Sequence, residues 1–247
     1  MDSNSKSFNL KSGQYAQSRP RYPRNFYDFL ISFVNHQEIL WDCACGNGQV
    51  AIDLVGDFKK VFATDINENQ IKNAFKHPKI NYAVSPSENT SFPNNYFDLI
   101  CVAQAMHWFD LDAFFKEVDR VLKPDGILAI FGYGFVKINH EVDQILEQVL
   151  HSEIDKYWSE GNSLLISEFK GVDFPFKKID APSFNMNQAW QRTDLLAYLD
   201  TWSAVKRYNE KNNSNIVEIL KQHLEPLWDS NEYKTAKMDL YSYIRKK

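Results

Sequence analysis

The feature that most constrains this chain is an alternation between residues 39 and 131. Short runs that are apolar throughout give way to segments whose apolar residues recur every three or four positions. Ile39-Leu40-Trp41-Asp42, Val61-Phe62-Ala63-Thr64-Asp65, Ile80 to Val84, Phe97 to Ala103 and Ile127 to Phe131 read as five strands. Strands without polar alternation are buried on both faces, and a parallel sheet covered by helices on either side is what buries them. Val50 to Leu54, Glu68 to Phe75 and Leu111 to Leu122 have helical character; in the last, Leu111, Phe114, Phe115, Val118, Val121 and Leu122 share one face. Lys123-Pro124-Asp125-Gly126 is expected to stop that helix as a turn. Phe26, Phe29, Leu30, Phe33 and Val34 mark a further helix ahead of the first strand, and Lys237 to Ile244 alternates as an antiparallel strand does. The expectation is a doubly wound α/β core.

Composition narrows the partners. The 247 residues carry 28 Lys plus Arg against 32 Asp plus Glu, a net charge of -4, so no electrostatic surplus recommends a nucleic acid or an anionic membrane. Three cysteines, Cys43, Cys45 and Cys101, are too few for a disulfide framework and lack the companion pairs of a zinc site; buried reduced thiols are expected, with no metal. The N-terminus is polar with no apolar stretch behind it, and no run approaches a membrane span, so cytoplasm is the expected compartment.

The chemistry concentrates in one βαβ unit. A strand ends in Asp42, a turn carries Gly46 and Gly48, a helix follows, and the next strand ends in Asp65. That is the layout of a nucleoside site: small residues let backbone approach the ligand, a helix N-terminus offers amide donors, and the second acid accepts from ribose hydroxyls. A dinucleotide fingerprint would space three glycines as G-x-G-x-x-G, whereas Ala44, Gly46 and Gly48 are spaced by two throughout. Taken alone, Asp65 reads better as the cap of the following helix than as a ribose ligand.

The spacing resembles the D-x-G-x-G-x-G motif of class I S-adenosylmethionine-dependent methyltransferases, with Ala44 at the first glycine. Asp65, Ser87-Glu88, Phe92 to Asp98 and the Leu122-Lys123-Pro124-Asp125-Gly126 turn continue the match in order over about residues 36 to 132. Tyr15-Ala16-Gln17-Ser18-Arg19-Pro20-Arg21-Tyr22-Pro23 and Ala103 to Phe109, with His107-Trp108-Phe109, are similar to segments of the trans-aconitate methyltransferase-like subgroup. The resemblance implies S-adenosyl-L-methionine as cofactor and a Rossmann-like, mainly parallel seven-stranded sheet with a C-terminal antiparallel strand and a helical cover. It implies residues 1–23 as an arm over the cofactor site, 24–136 as the cofactor-binding core, 137–235 as helical cover and sheet completion, and 236–247 as the final strand.

It also implies roles. Asp42 orients the turn and approaches the methionine amino group; Ala44, Cys45, Gly46 and Gly48 line the methionine and ribose. Asp65 takes the ribose hydroxyls, Ile66 packs on the adenine, Ser87 and Glu88 edge its amine, and Ala103 and Gln104 lie by the sulfonium. Tyr15 and Arg19 close the site, Arg19 on the cofactor carboxylate. Tyr22, His107, Trp108, Tyr133, Trp202 and Arg207 are candidates for the acceptor side, His107 being the one candidate base. Four of them have plainer alternatives: a backbone-bonded histidine for His107, a core tryptophan for Trp108 and Trp202, a solvated arginine for Arg207. The expected activity is methyl transfer to a small molecule, a carboxylate among the candidates. A nucleic-acid methyltransferase, a nucleotide-dependent oxidoreductase and a non-catalytic cofactor binder stay as alternatives.

Overall fold

The computed structural model describes residues 19–247. The chain divides into two compact units: a core of residues 21–134, 164–184 and 240–247, and a second unit whose described parts are residues 19–20, 135–163 and 185–239. The strands are β1 (Ile39–Cys43), β2 (Lys60–Asp65), β3 (Ile80–Val84), β4 (Phe97–Ala103), β5 (Leu122–Tyr133), β6 (Lys177–Ile179), β7 (Asn185–Trp190) and β8 (Lys234–Lys246). The core sheet has the order β3-β2-β1-β4-β5-β8-β6, reversing direction of travel beside β1, and β1 to β5 are mutually parallel. Residues 240–246 of β8 pair antiparallel with β5, as their alternation predicts, and β6 pairs antiparallel with β8.

Helices α1 (Arg24–Ile31), α2 (Gln49–Leu54), α3 (Glu68–Lys72) and α4 (Leu111–Val121) belong to this core. Pro23 caps α1 in extended conformation, where its missing N–H costs nothing, and Phe26, Tyr27 and Leu30 turn inward. Arg24 grips Asp57 through two bonds of 2.8 and 2.7 Å, and Arg21 pairs with Asp53 at 2.7 Å, fastening the chain ahead of β1 to α2 and its exit. Asp110 caps α4 by accepting from the Ala113 N–H, and Phe114, Val118 and Val121 pack with Trp41, Phe97, Ile100 and Val102 on one face of the sheet. Each such side chain, wholly buried, contributes about 1.5–3 kcal/mol.

Two local expectations need correction. Lys123-Pro124-Asp125-Gly126 is not a free turn between helix and strand: α4 runs directly into β5 at Leu122, which pairs with Phe97. The extra residues are absorbed as a register shift between Phe97 and Leu99, with Asp125 in the left-handed region, φ 63°. Asp98, beneath this bulge, binds Lys123 Nζ and the Ile39 N–H at 2.8 Å each, locking the start of β5 to β1. And β3 is not buried on both faces; it is the outer strand, with only Ile80 fully covered.

In the second unit, β7 pairs antiparallel with residues 234–239 of β8. Helix α5 (His140–Ile145) runs on through a π-helical turn, Leu146–His151. The apolar stripe from Arg192 to Tyr208 is two helices, α6 (Arg192–Asp200) and α7 (Ser203–Asn212), followed by α8 (Ile216–Leu224). The break falls where Thr201 Oγ1 bonds the Tyr198 carbonyl at 2.6 Å and Trp202 turns extended. No helix among the described residues is long and apolar enough to cross a membrane.

Candidate cofactor site

The site forms where β1 ends, at the point beside which the sheet order reverses. The chain leaves Cys43 through Ala44, Gly46 and Gly48, all left-handed with φ of 53°, 56° and 81°, before α2 begins. Alanine at 44 therefore carries strain that glycine would not, of order 1 kcal/mol. The loop is pinned by backbone bonds: the Cys45 N–H to the Thr64 carbonyl at 2.8 Å, the Gly48 N–H to the Cys45 carbonyl at 2.8 Å, and the Phe75 N–H to the Asn47 carbonyl at 3.1 Å.

Two carboxylates bracket it. Asp42 is 1 % exposed, and its Oδ2 accepts from the Ala51 N–H in the first turn of α2 at 2.9 Å. Burial pushes its pKa up to about 8, against the pull of that N–H and with Asp65 and Asp53 adding to the rise. Asp65 receives the Gly46 N–H on Oδ2 and the Asn67 N–H on Oδ1, each at 2.8 Å. Burial raises its pKa too, opposed by those two N–H groups. It is not the cap of α3, a place that Asn67 takes; Asp65 instead clasps the glycine loop from β2. An ionised carboxylate has about four acceptor directions, so two remain for a diol.

The surroundings suit an adenosyl group. A Cβ built on Gly46 meets no atom of the described residues within 4 Å, so among these residues the loop backbone is open to a ligand there. Ile66, next to Asp65, is 76 % exposed, and Val84, register partner of Asp65, is 53 % exposed; together they offer an uncovered apolar platform. Ser87 is buried, and Glu88 Oε1 accepts from the Asp110 N–H at 3.3 Å. Burial drives the Cys43 and Cys45 thiols well above their usual range, so both stay protonated and are poor nucleophiles. Among the described residues no group of three or more His, Cys, Asp or Glu converges as a metal site.

Beyond β4, Gln104 is left-handed at φ 53°, held by its N–H on the Phe131 carbonyl at 3.0 Å and its Nε2 on the Tyr133 carbonyl at 2.9 Å. Tyr241 donates to Gln104 Oε1 at 3.2 Å across Gly132, where any Cβ would come within 2.2 Å of the phenol oxygen. This clamp, which the sequence did not announce, turns the chain into the short helix Met106–Trp108. There His107 is buried and Trp108 is 52 % exposed, their rings 4.6 Å apart. Ala103 is half-buried at the end of β4.

The other predicted residues divide between the two units. Tyr22 is buried, its ring edge-on to Phe131 at 4.7 Å and 5.8 Å from Tyr133. Trp202 and Arg207 lie in the second unit: Trp202 among Phe135, His151, Trp158 and Tyr198, Arg207 donating to the Tyr157 carbonyl at 2.9 Å. Arg19 is half-buried in that unit, and Tyr15 lies outside the described residues.

A doubly wound sheet with a small-residue loop after β1 and an acid ending β2 defines a nucleoside-cofactor protein. The profile of a methyltransferase domain matches residues 41–130, spanning β1 to β5. A solved structure from Anaeromyxobacter dehalogenans, described as a type II methyltransferase, is 31% identical with a TM-score of 0.84, over 92% of this chain and 97% of that one. A Dictyostelium discoideum protein named as a methyltransferase is 28% identical over 221 residues, 88% of this chain and 84% of that protein. Phosphoethanolamine N-methyltransferase 2 of Haemonchus contortus, in complex with S-adenosyl-L-methionine, shares the fold at 16% identity, TM-score 0.50, over 100% of this chain and 61% of that one. The chain belongs to the class I S-adenosylmethionine-dependent methyltransferases, and S-adenosylmethionine is its cofactor.

Proposed function

We propose that this methyltransferase acts on a small molecule, by in-line transfer held in place by position and exclusion of water rather than by strong base catalysis. The observation that carries this reading is Trp108: an indole half open to solvent, just past the end of β4, beside a His107 that is itself buried. Such an indole is a wall for a flat or apolar acceptor. The net charge of -4 supplies no overall electrostatic surplus for a polyanion.

The bound cofactor supplies an electrophilic methyl group on a sulfonium. In this proposal Asp42 meets the methionine amino group and the loop from Ala44 to Gly48 lines the methionine and ribose. Asp65 accepts from the ribose hydroxyls, Ile66 underlies the adenine, and Ser87 and Glu88 stand at its rim. The Gln104 clamp fixes the turn carrying His107 and Trp108. A carboxylate acceptor, the form the trans-aconitate-like motifs favour, is already ionised at neutral pH and needs no base. A hydroxyl or amine acceptor would call on His107.

The test is a panel of small carboxylic acids, phenols and amines scored for S-adenosylhomocysteine release, with the Asp65→Ala protein as control. At least one class should turn over with the wild type and not with the control. Wild type that binds S-adenosylhomocysteine, turns over none of the panel and instead methylates RNA or DNA would overturn the small-molecule reading.

A further inference from the structure

One polar group beside the cofactor loop has no work in the reaction as described. Tyr82 lies in the middle of β3, in register with Ala63 of β2, which is in register with Asp42 of β1. Neighbours in register share a face of the sheet, so the three side chains form one row on the side where Asp42 meets α2. Ala63 presents only a methyl group, and the phenol leans over it to the glycine loop. A Cβ built on Gly48 would lie 2.2 Å from the Tyr82 hydroxyl oxygen and 2.8 and 2.9 Å from Cε1 and Cζ of its ring. The hydroxyl supports the loop where the backbone is left-handed, φ 81°, and no residue but glycine fits.

That hydroxyl is sealed from solvent and has no hydrogen-bond partner among the described residues. A buried donor left unmade is costly, and a phenylalanine would fill the same space without it. Burial, reinforced by Cys45 and Asp42, raises its pKa, so it stays protonated and remains a donor at physiological pH. The loop it touches is the one the cofactor binds against. We propose that Tyr82 is a positioning residue for the cofactor: its hydroxyl gains a hydrogen bond when the loop from Cys45 to Gly48 settles around the ligand. A cost present in the free protein is thereby relieved in the complex. This rests on the assignment of that loop to the cofactor.

The consequence is a pair of effects of opposite sign in Tyr82→Phe. Melting of the ligand-free variant should occur at or above the wild-type temperature, because the unpaired hydroxyl is gone. Calorimetry with S-adenosylhomocysteine should show a dissociation constant raised by roughly 5- to 100-fold, the loss of one hydrogen bond gained on binding. A purely structural tyrosine moves both readouts the same way. A dissociation constant raised less than threefold overturns the proposal, as does a lower melting temperature, which would mean that the hydroxyl is already bonded in the free protein. Wild type that fails to bind S-adenosylhomocysteine overturns the loop assignment and this proposal together; wild type that binds while the variant matches it overturns the proposal alone.

Discussion

Asp42 should make cofactor binding depend steeply on pH. Its carboxyl is 1 % exposed and accepts from the Ala51 N–H at 2.9 Å, and burial holds its pKa at about 8. At pH 7 about nine-tenths of the free protein then carries a proton there. In its proposed place beside the methionine amino group, Asp42 must be ionised to receive an ammonium, so apparent affinity scales with the ionised fraction. That fraction rises from about 1 % at pH 6 to about half at pH 8, an increase in affinity for S-adenosylhomocysteine of about 50-fold. Calorimetry at pH 6, 7 and 8, in two buffers of different ionisation enthalpy, reads both the affinity and the proton released, about 0.9 per ligand at pH 7. Asp42→Asn should bind more weakly at pH 8 and without the slope. Affinity constant within threefold across this range, with no buffer dependence, would refute the reasoning. The same shift acts on stability. Because the folded protein holds the proton more tightly than the unfolded chain, stability declines as pH rises from about 4 through about 8. Asp65 and Asp53, also raised by burial, act in the same direction.

Four further substitutions have outcomes set by the geometry. Gly48→Ala combines left-handed strain with a collision against Tyr82 and should cost about 2–4 kcal/mol. Gly46→Ala meets open space and should cost only about 1 kcal/mol, yet still lose S-adenosylhomocysteine binding because its Cβ enters the ligand's place; melts ranking the two the other way would contradict this. Trp108→Ala should leave stability within about 0.5 kcal/mol, the side chain being half exposed, while turnover of whichever acceptor the panel identifies falls; full turnover would remove Trp108 from the acceptor side. Tyr241→Phe strips Gln104 Oε1 of its donor and should destabilise by about 1–3 kcal/mol in denaturant melts, whereas a wild-type curve would mean the clamp does not hold the turn after β4.

What the sequence made legible was what periodicity and turn chemistry encode locally. The run Phe97 to Ala103 is apolar because β4 lies mid-sheet, and the alternation of Lys237 to Ile244 is that of a strand pairing antiparallel with β5. Asp42, Gly46, Gly48 and Asp65 came together because one βαβ unit fixes them in space within a short stretch of chain. Contacts between distant segments left no such trace. Nothing near Gln104 signals that Tyr241, 137 positions away, completes its hydrogen bonds, since that depends on Gly132 lying between them in register. Tyr82 looked like any strand tyrosine until the register set it over Ala63 and under Gly48. Tyr22 read as a ligand contact on the strength of its motif, but its ring packs on Phe131 and Tyr133. The bulge at Asp125 escaped because Lys-Pro-Asp-Gly is turn chemistry whether or not the flanking residues pair.

Asp65 clasps the glycine loop and, as proposed, holds the cofactor too. Titration of S-adenosylhomocysteine into wild type and Asp65→Ala at pH 8, with circular dichroism on the same samples, tests it directly. One site per wild-type chain is predicted, with affinity reduced at least tenfold in a variant that is still folded, because Asp65 accepts from the Gly46 and Asn67 N–H groups and, in its proposed role, from the ribose hydroxyls as well. No binding by folded wild type, or equal binding by the variant, would contradict it.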